Sequence, residues 1–187
     1  MVLILKALIM GIVEGLTEFL PISSTGHLII VGDIIGFKGT SFHTMFEIVI
    51  QLGAILAVVY YYRTKIFASL RHLAPGQWGF DLWLKMIIAF LPAAIIGVLV
   101  HDYIEEYLFS PKTVAIALII GGVMMIAAEN IFGRAGLNDM DKTSKGQAFV
   151  IGIAQCLSLF PGMSRSASTI MGGMAAGLST KAAAEFS

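Results

Sequence analysis

Three long apolar runs, at residues 46–62, 82–100 and 113–128, each approach the ~20 residues that a helix needs to cross a bilayer. The chain of 187 residues is 57% hydrophobic and 13% charged, against about 25% charged in soluble domains. Much of its surface therefore has to face lipid, and the expected class is an all-α, polytopic membrane protein. A cleavable signal peptide does not fit the first segment, where Lys6 is the only early charge and acid follows. Twelve basic and twelve acidic residues give a formal charge of zero, which leaves no nucleic-acid footprint. The single Cys156 excludes an intramolecular disulfide and reads as a small packing residue.

Residues 2–20 depart from this plain pattern. Glu14 and Glu18 lie four apart in an otherwise apolar run, which then breaks at Pro21-Ile22-Ser23-Ser24-Thr25-Gly26-His27. A carboxylate at membrane depth costs several kcal/mol unless it is paired or lines a wet cavity. The piece after the break, 27–36, spans only about 15 Å as helix, too short for a ~30 Å hydrocarbon core. Residues 1–38 are thus expected to form a re-entrant helical hairpin, with one spanning helix plus a short interfacial one as the alternative. Spanning helices are predicted near 44–63, 82–101 and 112–130. The connector 63–81 holds Arg63, Lys65, Arg71 and Asp81, a net +2, whereas 101–112 holds Lys112 against Asp102, Glu105 and Glu106, a net −2. The positive-inside rule then places the first connector in the cytoplasm, the second outside, and segment 129–147, with Arg134, Lys142 and Lys145, in the cytoplasm again.

A weak internal repeat runs through the chain. Gly11-Ile12-Val13-Glu14-Gly15-Leu16-Thr17-Glu18-Phe19-Leu20-Pro21 resembles Gly152-Ile153-Ala154-Gln155-Cys156-Leu157-Ser158-Leu159-Phe160-Pro161, with one residue deleted. Each proline opens a hydroxyl-rich turn, and Phe46-Glu47 finds an echo in Glu185-Phe186 at a similar distance downstream. With three helices between the copies, the second would enter from the opposite side, an inverted-topology plan that puts a site where broken helices meet. The chain reads as one membrane domain, 1–187, with repeat one at about 1–135 and the start of repeat two at about 146–187. By analogy with the first copy, about three further helices are expected to follow the second.

The residue types at the two breaks suit phosphate chemistry. Glu14 and Glu18 share a helix face and would hold a divalent cation such as Mg²⁺; the plainer reading is an acid pair satisfied by headgroups or neighbours. Ser23, Ser24, Thr25 and Gly26 open a half-helix whose free N–H groups and dipole favour an anion, although N-capping alone accounts for one of the hydroxyls. One hydroxyl would serve as nucleophile if a base were within reach. His27, one turn on, would move a proton or simply be a satisfied structural histidine. Arg165, between Ser164 and Ser166, has a guanidinium fork that matches phosphate oxygens; an interfacial arginine touching headgroups is the competing reading. Glu47 and Gln51 share a face of a spanning helix, as supports of the site or as a polar helix–helix contact.

Taken together, Glu14-Gly15-Leu16-Thr17-Glu18-Phe19-Leu20-Pro21-Ile22-Ser23-Ser24-Thr25-Gly26-His27 and Pro161-Gly162-Met163-Ser164-Arg165-Ser166 closely resemble the two signature motifs of the bacterial undecaprenyl-pyrophosphate phosphatases of the bacitracin-resistance type. Phe46-Glu47-Ile48-Val49-Ile50-Gln51-Leu52-Gly53 and Leu137-Asn138-Asp139-Met140 extend the similarity over nearly the whole chain, and members of that family are longer at the C-terminus. The resemblance implies a multi-pass inner-membrane hydrolase that removes the terminal phosphate of undecaprenyl diphosphate, a polyprenyl diphosphate lipid. Its product is the carrier recycled for peptidoglycan assembly. It further implies Glu14 and Glu18 as the acidic motif, Ser24 as nucleophile, His27 as an essential histidine, Arg165 as the phosphate-binding arginine, and a divalent cation, Mg²⁺ or Ca²⁺. A water in place of Ser24 as the attacking group, and a homodimer, stay open. Broken helices in inverted repeats also suit a polyprenyl-phosphate flippase, the alternative function.

Overall fold

The computed structural model describes residues 2–37, 41–108, 110–133 and 136–187, all helix and connecting turns apart from one isolated β-bridge between Leu137 and Leu178. Helix α1 (Val2–Thr17) and helix α2 (Ser24–Ile34) fold back on each other around the proline break. Lys6 Nζ, near the start of α1, donates to the Gly36 carbonyl just past α2 at 3.0 Å, so the two arms run antiparallel. Met10, Leu28 and Phe37 form the buried seam between them. At 16 and 11 residues the arms are about 24 and 16 Å long, each short of a ~30 Å hydrocarbon core. Lys38, at the far end of the predicted hairpin, lies outside the described residues.

Helix α3 (Ser41–Tyr61) corresponds to the first predicted span, but residues 63–70, expected as connector, form helix α4 (Arg63–Leu70), bent 71° from the span. Helix α5 (Trp78–Leu108) outruns its predicted bounds at both ends, and helix α6 (Pro111–Phe132) matches its own closely. The acidic stretch 101–108 was expected to leave the helix. Glu favours helix and Asp opposes it only mildly, however, and α5 continues until Pro111 disfavours helix at the residue before it. Ser110 there caps α6 by accepting from Thr113 N at 3.2 Å. α5 and α6 are each long and apolar enough to cross a membrane, and the bent α3–α4 pair gives a third such element.

The second hairpin repeats the plan of the first. Helix α7 (Lys145–Gln155) runs into a 3₁₀ turn (Cys156–Leu159) and the Pro161 break, and helix α8 (Arg165–Ala175) returns, followed by helix α9 (Thr180–Phe186). A capping box between Ser144 and Gln147 starts α7. α7 crosses α5 so closely that a Cβ on Gly152 would lie 2.6 Å from the Ala89 carbonyl oxygen and 3.0 Å from Pro92 Cγ. Ile151, Ile170, Met174, Leu178 and Phe186 form the main core with Leu82 and Ala89 of α5.

The two connectors expected on the cytoplasmic side meet at one end of the molecule. Lys65 Nζ lies 3.1 Å from Asp141 Oδ1 and 3.2 Å from Glu185 Oε1, and buried Lys85 donates to the Asp141 carbonyl at 2.9 Å. Arg134 and the Glu105 side chain, both used in the charge argument, lie outside the described residues.

Candidate active site

The tips of the two hairpins meet. Ser24, the first residue of α2, donates its hydroxyl hydrogen to Glu18 Oε2. Arg165, the first residue of α8, places Nη2 3.5 Å from Glu18 Oε1. Glu18 is thus the junction between a hydroxyl from its own hairpin and a guanidinium from the other. One hydrogen bond and one ion pair answer this carboxylate, the kind of pairing that an acid in an apolar run requires.

Local structure explains why these atoms converge. Ser23 adopts φ 65, ψ 90 and is the one non-glycine residue with positive φ among the described residues. Such a conformation costs on the order of 1–3 kcal/mol and is typical of strained functional turns. It turns the Ser23 Oγ back to accept from Gly26 N at 3.2 Å, capping α2 and aiming Ser24 at Glu18. Gly26 lets the turn pack closely on α6, where a Cβ would lie 3.2 Å from Leu118 Cδ2. On the other side Gly162 takes φ +96, and a Cβ there would lie 2.6 Å from the Val114 carbonyl oxygen. Ser164 caps α8 by accepting from Ala167 N at 3.2 Å, and its hydroxyl lies 3.0 Å from that of Ser166. Two helix N-termini, each with uncapped N–H groups, therefore open toward the same place, which favours an anion.

They open onto a cavity of about 960 Å³. Glu18, Ser23, Ser24, Thr25, Ser164, Arg165 and Ser166 line its polar end, and Ile55, Val58 and Val59 of α3 supply apolar wall. The Arg165 side chain is 66% exposed and Glu18 21%, so the ion pair is reachable from this space. Gln51 also borders the cavity, as do Lys65 and Glu185.

Two expected residues are placed differently. His27 does not border this cavity. Its Nδ1 lies 2.8 Å from the Ser23 carbonyl oxygen, and its ring faces a smaller cleft of about 270 Å³ beside Leu118, Gly121 and Gly122 of α6. It braces the strained Ser23 turn rather than reaching the Ser24 hydroxyl, because four residues along a helix bring its ring to the carbonyl of Ser23. Glu14 is also absent from the cavity wall. It is 1% exposed, and neither carboxylate oxygen has a hydrogen-bond partner.

Lys65 and Glu185 were not recognised as neighbours of the site from the sequence. Their contact spans 120 positions, and only the Glu185-Phe186 echo of Phe46-Glu47 hinted that Glu185 belonged to it.

A divalent cation fits these residues in one definite respect. Glu14 presents two donor-free oxygens in a low-dielectric place, the state of a carboxylate with an open coordination site. Among the described residues no three His, Cys, Asp or Glu side chains converge as a ready-made metal cluster, so any cation takes further ligands from water or phosphate.

Comparison with known proteins decides the family. The family model described as bacitracin resistance protein BacA matches residues 7–187. This chain belongs to that family. The BacA match leaves out only the first six residues, so both hairpins and the Glu18–Arg165 junction fall within it. The chain is 72% identical to the undecaprenyl-diphosphatase of Thermoanaerobacter sp. (strain X514), covering all of this chain and 70% of that one. It is 71% identical to the undecaprenyl-diphosphatase of Caldanaerobacter subterraneus subsp. tengcongensis and 53% identical to that of Clostridium tetani, covering all of this chain and 69% of each relative. As a BacA-family protein with two or three apolar spanning elements, it is a multi-pass protein of the bacterial inner membrane.

Proposed function

We propose that the chain hydrolyses undecaprenyl diphosphate to undecaprenyl phosphate and inorganic phosphate, returning the lipid carrier to cell-wall synthesis and conferring bacitracin resistance. The relatives carry the name of this activity, and no feature of the cavity favours the flippase reading. One observation carries the mechanism: the continuous contact Ser24–Glu18–Arg165 across two hairpin tips.

In this mechanism the diphosphate lies at the polar end of the cavity, held by Arg165, Ser164, Ser166 and the free amides at the starts of α2 and α8. The prenyl chain runs along the apolar wall of α3. Ser24 Oγ attacks the terminal phosphorus as its proton passes to Glu18, and the bond to the bridging oxygen breaks, releasing undecaprenyl phosphate. Water then cleaves the phosphoserine to give inorganic phosphate. The hydrogen bond from Ser24 makes Glu18 the residue placed to take the proton, and His27 keeps Ser23 turned so that Ser24 points inward. Arg165 stabilises charge on the transferred phosphoryl group. A divalent cation, when bound, neutralises phosphate charge, a contribution of several kcal/mol; Glu14 would hold it, with Glu18 one helical turn nearer the cavity. The two hairpins enter from opposite membrane faces, a reading supported by their tip-to-tip contact.

Phosphate release from undecaprenyl diphosphate in detergent tests this. Ser24→Ala and Glu18→Gln should each lower turnover at least about 100-fold with folding intact by circular dichroism. Turnover within twofold of the unmodified chain in Ser24→Ala would remove the covalent step and leave a water as the attacking group.

A further inference from the structure

One wall of the cavity is fixed by hydrogen bonds, whereas the wall supplied by α3 is plain aliphatic side chain. The turn before α5 lays its first residues on the end of α4. Phe80 N donates to the His72 carbonyl at 3.0 Å, and a Cβ on Gly79 would lie 2.7 Å from that oxygen and closer still to the Ser69 carbonyl oxygen. Leu82, Trp83 and Met86 follow Gly79 at three, four and seven residues, so they share its face of α5, and all three border the cavity. Trp83 donates its indole N–H to Ser69 Oγ of α4 at 3.1 Å. Ser69 is 1% exposed, and its own hydroxyl hydrogen goes to the Ile66 carbonyl at 2.8 Å.

Indole has a single donor, and here a neighbouring helix answers it. What Trp83 offers the cavity is therefore hydrocarbon surface with no polar group left to satisfy. A ring already held by a buried hydroxyl also loses little further freedom when an apolar chain packs on it. Trp78, five residues earlier, is placed differently: it is 41% exposed, lies beside His72 and does not border the cavity. The cavity, at about 960 Å³, is within the ~300–1,000 Å³ of ordinary ligand pockets. It takes a headgroup with the isoprene units next to it and leaves the rest of a polyprenyl tail outside.

We infer that Trp83, locked by Ser69, is the surface on which the enclosed part of the prenyl chain packs, and that it sets how tightly the lipid is held. Buried aromatic side chains, tryptophan above all, carry a large share of the binding energy where they meet a partner. Ser69 acts through the indole, as a positioning residue. The inference deepens the phosphatase reading and rests on it for the identity of the tail. It names the residue that specifies a prenyl lipid rather than a bare phosphate.

Trp78→Phe leaves Trp83 as the one tryptophan of the chain. The full chain, held on a resin in detergent, is given undecaprenyl phosphate brominated across some of its double bonds. Retained lipid is counted and indole emission is read, since bromine quenches only a ring it touches. Bound lipid should quench Trp83, whereas Trp83→Phe, which leaves Trp78, should show little quenching. Trp83→Ala should weaken retention of undecaprenyl phosphate by about 10-fold or more and Ser69→Ala by about threefold, with Trp83→Phe between Trp83→Ala and the unmodified chain. Retained lipid without quenching of Trp83, quenching of Trp78 as strong as that of Trp83, or equal retention by Trp83→Ala and the unmodified chain would each overturn the inference. A chain that retains no lipid sinks the inference and the phosphatase reading together. Quenching in the expected pattern by a chain that releases no phosphate upholds the prenyl wall and sinks the phosphatase reading alone.

Discussion

The two hairpins share one plan but sit in different surroundings. α8 is buried along almost its whole length, from Ala167 to Met174, whereas α1 exposes Ile4, Leu5, Leu8, Ile12 and Leu16 along one flank. Their glycines report the same contrast. A Cβ on Gly172 would lie 2.4 Å from Ala154 Cβ, and one on Gly173 2.8 Å from Ala183 Cβ, while Gly11 and Gly15 have nothing within 4 Å. In α8 glycine lets helices touch; in α1 the same residue serves no packing need inside the chain. The second hairpin is thus a wedge that fixes Arg165, and the first is an arm with an exposed apolar flank that carries the carboxylates. Rigid cation and more loosely seated acid meet at a single contact.

The largest expected effect breaks that contact. Arg165→Ala should lower phosphate release from undecaprenyl diphosphate by about 10²–10³-fold, and Arg165→Lys should recover only part, because an ammonium lacks the planar fork. Next comes His27→Gln, expected to lower kcat by roughly 10-fold, through loss of the brace on Ser23, while the pH profile of the remaining turnover matches the unmodified chain. A displaced pH profile would instead make His27 the proton acceptor and Glu18 a bystander. In the wedge, Gly172→Val should destabilise the fold by about 1–3 kcal/mol through overpacking, read as a lower Tm in detergent. The smallest effect lies on the arm. Gly11→Ala should raise stability by up to ~1 kcal/mol, since it adds helix propensity where no neighbour objects. A Tm that falls in Gly11→Ala would mean that another protein surface covers this flank of α1.

Much of the site was legible because its chemistry is anomalous for the medium. Acid, hydroxyls and arginine have few reasons to sit in apolar sequence, and the proline breaks announced both hairpins. What stayed hidden depended on tertiary geometry. Nothing in residues 62–63 signals a 71° bend, and α5 runs on through acids that a charge count treats as connector. His27 follows Gly26 directly, which suggested that its ring shared the hydroxyl side; the helical turn carries it to the α6 side instead. Glu47 was visible as a polar residue in a spanning helix, yet only the structure shows its Oε1 3.2 Å from His43 Nε2, one turn earlier on the same helix.

Lys65, which also borders the cavity, is shared between two carboxylates, Asp141 and Glu185. An ammonium answered twice has little left for a phosphate, whereas the guanidinium of Arg165 meets one carboxylate, is 66% exposed and stands at a helix N-terminus. The cavity therefore offers an anion an accessible positive patch at the hairpin tips. A lipid bearing phosphates at one tip and hydrocarbon everywhere else would be sorted by that patch, headgroup foremost, before any hydrogen bond forms.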